Sequence, residues 1–199
     1  MSVLVKICGL SSAADVEAAV DAGANAVGFV FAESVRRVLV EQAAAATAQL
    51  RNDVRKVAVM RHPTADEWRD VLLTFRPDVL QTDIGDFDAL DVPDSVVKLP
   101  VIREGDAAAD GDLPDVFVYE GRQSGAGVAV DWQRAAEIAK RGTMILAGGI
   151  SAANVAEAIA TVRPFGVDVS SAVESEPGRK DPALIREFID AVRAAEIQA

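Results

Sequence analysis

Cysteine and histidine are almost absent from this chain of 199 residues, which has one of each, Cys8 and His62. One cysteine cannot form an intrachain disulfide, which fits a reducing cytoplasm. One histidine argues against a histidine-based catalytic triad and against a clustered zinc site. His62 precedes Pro63 and is predicted to be a solvated loop residue. We therefore expect a cytoplasmic protein without a bound metal.

Excess basic charge and long apolar runs are lacking as well. The net charge of −11 is spread along the chain, which argues against nucleic acid and anionic membranes as partners but leaves room for a local basic pocket. No apolar stretch approaches membrane-spanning length, and we recognise no secretory signal before the first strand. Hydrophobic residues make up 50% of the sequence but aromatic residues only 5%. Many of the hydrophobic residues are Ala and Val, as in a compact α/β protein.

What the sequence does contain is a regular alternation of apolar runs and amphipathic stretches. Capping residues support the helix starts at Ser11, Thr64 and Ser151, and Gly23 marks the end of the first helix. The predicted strands lie near 3–7, 26–30, 55–60, 78–81, 97–101, 115–119, 143–147 and 166–169. The predicted helices lie over 11–22, 40–51, 64–75, 131–140, 151–161 and 181–194.

Strict strand–helix alternation implies a parallel sheet, either an open doubly wound sheet or a closed (β/α)8 barrel. Eight strands favour the barrel, although 199 residues is at its small end. No G-x-G-x-x-G fingerprint follows the first strand, which weakens the dinucleotide-binding alternative. We predict a single (β/α)8 barrel domain over residues 1–199.

The first strand carries an unusual polar face. Because side chains alternate along a strand, Lys6 and Cys8 share one side while Val5 and Ile7 share the other. A lone cysteine is more often a small buried hydrophobic residue than a reactive group. A lysine beside a thiol at the exit of a strand nevertheless suits a reactive group presented to a loop. Lys6 could lower the pKa of the thiol or pair with Asp168 on the closing strand, and the sequence does not separate the two.

Polar and glycine-rich groups follow several of the other predicted strands. In a barrel these ends form the active-site rim, and loops 7 and 8 commonly hold a phosphate through backbone N–H groups. The tight turn Gly148-Gly149 and the pair Ser170-Ser171 are therefore predicted to bind phosphate. The other rim candidates are Arg36, Gln81, Asp83, Glu120, Gly125, Gly127 and Asp168.

Some of these residues belong to longer motifs: KICGL at 6–10, SVR at 34–36, GAG at 125–127 with DW at 131–132, LAGGI at 146–150, GVDVSSAVE at 166–174 and PGRKD at 177–181. Together the motifs resemble those of the phosphoribosylanthranilate isomerase family over essentially the whole chain. The resemblance implies a (β/α)8 barrel of tryptophan biosynthesis that acts on a phosphosugar by an Amadori rearrangement, without metal or organic cofactor. We expect it to work as a monomer or homodimer.

The resemblance also implies individual roles. The family base is the cysteine of the first motif, which matches Cys8, and the family acid is an aspartate at the end of strand 6, where this chain has Glu120. Arg36 matches the position that binds the anthranilate carboxylate, with Arg37 as a competitor if the loop is shifted. Asp168 matches a carboxylate near the anthranilate amine.

Two further departures from the family occur in the substrate-binding segments. Gln81-Thr-Asp83 stands where the family usually has Gln-Leu-His, and Val128 replaces a basic residue that often follows Gly125 and Gly127. With Lys6, we count Gln81 and Asp83 as substrate-binding and Gly125 and Gly127 as phosphate-binding. The rival functions are the sister sugar isomerase of histidine biosynthesis and a non-catalytic phosphate-binding barrel.

Overall fold

Eight parallel strands close into a barrel in the computed structural model, which describes residues 2–109, 111–122 and 130–197. Each strand pairs with the next along the chain, and β8 returns to pair with β1. The predicted (β/α)8 barrel is therefore confirmed, and the alternative prediction of an open doubly wound sheet is wrong. The strands are β1 Leu4–Cys8, β2 Ala26–Val30, β3 Arg55–Val59, β4 Val79–Asp83, β5 Val97–Arg103, β6 Val116–Glu120, β7 Thr143–Leu146 and β8 Gly166–Val169.

In the described part of the chain, six α-helices lie in the connections, and short 3-10 helices follow β4, β5 and β8. A small antiparallel hairpin, β9 Glu174–Glu176 with β10 Arg179–Lys180, interrupts the last connection. The helices are α1 Ala13–Ala22, α2 Val40–Ala46, α3 Ala65–Thr74, α4 Trp132–Ala139, α5 Val155–Val162 and α6 Pro182–Glu196. No helix among these described residues is long and apolar enough to cross a membrane.

Helix starts were predicted correctly at one of three positions. Thr64 caps α3 through a reciprocal capping box with Glu67. The cap of α1 is Ser12 rather than Ser11, because Ser12 has the extended backbone and the hydroxyl that accepts the N–H of Asp15. The cap position of α5 is Asn154 rather than Ser151. A side-chain pattern locates such a boundary only to within a few residues.

The alternation along β1 and β6 separates two apolar layers. Val5 and Ile7 belong to the large cluster between strands and helices, as do Phe117 and Tyr119 of β6. Val118 faces the barrel interior with the small inner cluster. Lys6, Cys8 and Glu120 therefore lie on the inward faces of their strands, as predicted from strand periodicity. Cys8 and Glu120 are also the last residues of β1 and β6, which places them at the carboxyl ends of these strands.

Candidate active site

A cavity opens at the carboxyl ends of the strands, and all eight strands or the loops that follow them contribute to its wall. This is the end at which (β/α)8 barrels carry their active sites. Lys6, predicted to contact substrate, does not line the cavity, and Gly125 and Gly127 lie outside the described residues. The predicted residues that do line it are Cys8, Arg36, Gln81, Asp83, Glu120, Gly148, Gly149, Asp168, Ser170 and Ser171.

Lys6 and Asp168 form a buried ion pair at the base of this cavity. They are register partners on the adjacent strands β1 and β8, and Lys6 Nζ donates to Asp168 Oδ2 over 2.7 Å. The side chain of Lys6 is only 1% exposed. Burial opposes its charge, but Asp168 and the Cys8 sulfur outweigh that effect and raise the pKa of Lys6. Of the two alternatives for Lys6, the pairing with Asp168 is confirmed.

Cys8 is a free thiol, 8% exposed, at the cavity wall. Lys6 interacts with its sulfur and favours the thiolate, as expected from the shared strand face. Burial has the larger and opposite effect, so the pKa of Cys8 lies above its ordinary value. Lys6 therefore lowers the pKa of the thiol, as the sequence analysis considered, but not by enough to bring it below the ordinary value. The low dielectric around the buried sulfur destabilises the thiolate. The single neighbouring cation, Lys6, is itself paired with Asp168 and does not offset this effect.

Gly28 on β2 supplies the space that these two side chains occupy. A Cβ at this position would lie 3.1 Å from Lys6 Cε and 3.2 Å from Cys8 Sγ. The sequence analysis did not single out Gly28. A glycine inside an otherwise apolar strand often marks a close approach by another group, and that signal could have identified it.

Glu120 and Asp83 share one guanidinium, that of Arg103 at the end of β5. Arg103 Nη1 donates to Asp83 Oδ1 over 2.5 Å, and Arg103 Nη2 lies 3.2 Å from Glu120 Oε1. All three line the cavity. Sequence reasoning missed Arg103 because the predicted strand stopped at residue 101. As the first charge after an apolar strand, Arg103 has the same signal that identified the other rim residues.

His62 is an exposed loop residue, as predicted, and it also has two carboxylate neighbours. Although its side chain is 66% exposed, its ring nitrogens lie 2.9 Å from Asp86 Oδ1 and 3.3 Å from Asp83 Oδ2. Within the described part of the chain, His62, Asp83 and Asp86 are a trio whose ligand atoms could converge on a cation. Arg103 already neutralises Asp83. Any metal would therefore compete with a guanidinium, so the trio is poorly suited to hold one.

Arg36 enters the cavity from the loop after β2, but much of its guanidinium is already engaged. Nε and Nη2 donate to the two carboxylate oxygens of Glu174 over 2.7 and 2.9 Å. This bidentate contact fixes the plane of the guanidinium. Arg36 also lines the cavity, where the sequence analysis expected it to meet a carboxylate.

The loops after β7 and β8 provide backbone groups at the cavity wall. Gly148 and Gly149 have φ values of 87° and 64°, a region that favours glycine. Asn154 Nδ2 holds the carbonyl of Gly149 over 2.9 Å. The Ser170 hydroxyl, predicted to be available to phosphate, instead donates to the carbonyl of Cys8 over 3.0 Å. The backbone carbonyl and the hydroxyl oxygen of Ser170 both accept hydrogen bonds from the buried ammonium of Lys180. This lysine brings positive charge behind the loop.

Two buried oxygen atoms at the cavity wall have no hydrogen-bond partner among the described residues. They are Gln81 Oε1 and Asp168 Oδ1, on side chains only 5% and 8% exposed. Buried polar atoms are rarely left unsatisfied without a functional reason. Both acceptors suit donors on a bound molecule, in agreement with the substrate-binding role predicted for these residues.

The closed barrel and the polar cavity at the carboxyl ends of its strands define a (β/α)8-barrel enzyme. Residues 5–191 match the family model of N-(5'-phosphoribosyl)anthranilate isomerase. Relatives of that name from Rhodopseudomonas palustris and Roseiflexus castenholzii are 38% and 39% identical to the chain. They cover 98% and 96% of it, and 100% and 99% of their own lengths. The chain therefore belongs to the N-(5'-phosphoribosyl)anthranilate isomerase family.

Solved structures agree with this assignment. A phosphoribosylanthranilate isomerase bound to reduced 1-(o-carboxyphenylamino)-1-deoxyribulose 5-phosphate superimposes with a TM-score of 0.80 at 28% identity, covering 96% of this chain and 99% of that one. The Thermus thermophilus isomerase gives a TM-score of 0.82 at 28% identity, covering 96% and 98%. The dimeric Thermotoga maritima isomerase, in a monomeric form, gives 0.80 at 27% identity, covering 96% and 99%.

Proposed function

We propose that this chain converts N-(5'-phosphoribosyl)anthranilate to 1-(2-carboxyphenylamino)-1-deoxyribulose 5-phosphate by general acid–base catalysis. The observation that carries the proposal is the presence of a thiol and a carboxyl group, Cys8 and Glu120, on the wall of one cavity. They come from β1 and β6, which are not neighbours in the barrel. The rearrangement needs two proton-transfer groups that reach different atoms of one sugar.

Ring opening is the first step, and Glu120 is the acid. It donates a proton to the furanose ring oxygen while the C1–oxygen bond breaks, and the nitrogen lone pair forms the Schiff base. Arg103 holds the carboxyl group at the cavity wall. This restraint matters because Glu120 is one methylene longer than the family's aspartate, and a displacement near 1 Å can cost about a hundredfold in rate.

Proton removal from C2 is the second step, and the Cys8 thiolate is the base. The electron pair of the C2–H bond moves toward the iminium nitrogen and gives an enolamine, which tautomerises to the ketone. Lys6 favours the thiolate from below, while burial works against it. Since this balance leaves the pKa of Cys8 raised, the reactive fraction of the free enzyme grows as the pH rises toward that pKa.

The remaining groups bind and orient the substrate. Arg36 binds the anthranilate carboxylate. Asp168 lies near the anthranilate amine, and its unpartnered Oδ1 can accept a hydrogen bond from the amine N–H. The backbone N–H groups at Gly148 and Gly149 and those at Ser170 and Ser171 take the phosphate, with Lys180 behind them. Val128 offers no basic side chain, whereas the buried ammonium of Lys180 brings positive charge behind the loop that carries Ser170.

The biological setting follows from the reaction. A biosynthetic enzyme with one cysteine fits a reducing cytoplasm, where we place it. Its partner is the small phosphosugar rather than nucleic acid, in keeping with the net charge of −11. We retain monomer or homodimer as the oligomeric state.

Turnover of freshly prepared N-(5'-phosphoribosyl)anthranilate, followed by its fluorescence loss and by chromatography of the product, tests the proposal. The wild-type chain should form the ketone product. Cys8→Ser should lower turnover by about a hundredfold to ten-thousandfold, because an alcohol is too weakly acidic to form the base. Unchanged turnover in a folded Cys8→Ser protein would show that Cys8 is not the base and only packs in the barrel.

A further inference from the structure

Glu174, a motif residue that the proposed chemistry does not use, lies immediately behind Arg36 and pairs with Lys180. Neither Glu174 nor Lys180 lines the cavity. The carboxylate of Glu174 accepts from Arg36 Nε and Nη2, from Lys180 Nζ over 2.7 Å and from the backbone N–H of Gly178 over 3.1 Å. The side chains of Glu174 and Lys180 are 3% and 0% exposed. Their polar groups are thus committed to holding other groups rather than to meeting solvent.

The geometry leaves a particular edge of the guanidinium for a ligand. An arginine presents one pair of donors along its Nε–Nη2 edge and another along its Nη1–Nη2 edge. Glu174 occupies the first edge of Arg36. The second edge keeps the fork that matches a planar carboxylate.

Charge balance keeps this site attractive to an anion. Glu174 carries one negative charge between two cations, Arg36 and Lys180. The group as a whole is therefore positive by one charge, and Arg36 is the member that faces the cavity. A ligand carboxylate that binds Arg36 therefore still meets a net positive charge, although Glu174 is already paired with this arginine.

Backbone packing fixes the hairpin against the loop that carries Arg36. At Gly178, which has a φ of 83°, a Cβ would lie 2.8 Å from the carbonyl oxygen of Val35. At Gly9, with a φ of 76°, a Cβ would lie 2.6 Å from Arg36 Cδ. Contacts under 3.0 Å against backbone cannot be accommodated without movement, so glycine at 178 permits the close approach that brings Glu174 under Arg36.

We propose that Glu174, supported by Lys180, is a positioning residue that orients Arg36 and so sets the preference of this site for a carboxylate-bearing aromatic substrate. This inference rests on the proposed function, since it assigns the anthranilate carboxylate to Arg36. It also gives the motifs at 166–174 and 177–181 a shared role, because together they build the support on which the arginine is held.

Binding of two matched ligands tests the proposal. One is reduced 1-(o-carboxyphenylamino)-1-deoxyribulose 5-phosphate, and the other is its phenylamino counterpart without the carboxyl group. Calorimetry on the full chain should show that Glu174→Gln weakens the carboxylate ligand by about tenfold or more and the phenyl ligand by less than about threefold, as loss of an oriented charge-assisted contact requires. Glu174→Asp keeps the negative charge, so its affinity for the carboxylate ligand should lie between those of wild type and Glu174→Gln. Glu176→Gln, on the exposed part of the same hairpin, is the matched control and should match wild type.

The outcomes separate the possible errors. Equal weakening of both ligands by Glu174→Gln, with Glu174→Asp no better, would show a merely structural role and overturn the inference. Unchanged binding of the carboxylate ligand would overturn it as well. If the wild-type chain itself binds the two ligands equally, the carboxylate site of the proposed function is wrong, and the inference fails with it. Wild-type discrimination that is lost only in Glu174→Gln supports both.

Discussion

Glu174→Gln should remove a part of the protein's stability that is sensitive to acid. Burial disfavours the charge of this carboxyl group, but hydrogen bonds from Arg36 and Lys180 outweigh it and lower the pKa of Glu174 from 4.5 to about 2. A group whose pKa is lower in the folded than in the unfolded state stabilises the fold above the unfolded pKa. That contribution is therefore present above pH 4.5 and is lost as the pH falls toward 2.

The size of this contribution follows from the difference between the two pKa values. A difference of 4.5 − 2 corresponds to at most about 3.4 kcal/mol in the free energy of unfolding. Because Arg36 is open to the cavity, and solvent there screens its charge, we expect about 1–3 kcal/mol.

Urea unfolding of wild type and Glu174→Gln between pH 7 and pH 2.5 measures the effect. The free-energy difference between the two proteins should be largest above pH 5 and should shrink steadily below pH 4. Glu176→Gln should show no such trend, because that side chain is exposed. A difference between wild type and Glu174→Gln that stays constant over the whole range would refute the reasoning, since it would show that the ionised carboxylate contributes nothing specific.

Two further predictions concern the base of the cavity. Lys6→Met leaves the buried Asp168 without its cation and should lower the free energy of unfolding by about 3–5 kcal/mol. Thermal unfolding should show this as a Tm lower by roughly 6–20 °C. A loss below about 1 kcal/mol would show that Lys6 and Asp168 are not a tight ion pair. Gly28→Ala should lower turnover of N-(5'-phosphoribosyl)anthranilate by about tenfold or more, because its Cβ would meet Lys6 and Cys8 and displace the thiol. Gly85→Ala is the control, since a Cβ there has nothing within 4 Å, and equal activity of the two variants would contradict the assigned role of Gly28.

The barrel was predictable because strand and helix periodicities are local signals. Parallel strands that are buried on both faces produce apolar runs, and β2 and β8 have the predicted bounds. Helix α2 is shorter than predicted, ending at Ala46 with Thr47 as its C-cap residue rather than near 51. The single-domain boundary over 1–199 stays a prediction.

The candidate site was predictable mainly as a set of positions. The barrel rule identified the strand ends, and the family motifs identified Cys8 and Arg36. The contacts between side chains were not predictable: Arg36 and Glu174 are 138 residues apart in sequence, and neither signals the other. The direction of the Cys8 pKa depends on burial, which only the closed barrel defines.

The central claim is that Glu120 is the acid that opens the ring, and its most direct test is turnover of Glu120→Gln. The amide keeps the size of the side chain and much of its hydrogen bonding but has no proton to transfer. Turnover of N-(5'-phosphoribosyl)anthranilate should therefore fall by about a hundredfold to ten-thousandfold. Glu120→Asp should retain more activity than Glu120→Gln, because a carboxyl group is present at an imperfect distance.

Asp83 is the competitor, because it borders the same cavity and the same guanidinium of Arg103. We predict that Asp83→Asn keeps more activity than Glu120→Gln when both are measured on folded protein at the same pH. The contradicting result is the reverse order, with Glu120→Gln nearly as active as wild type and Asp83→Asn inactive, which would place the acid on β4.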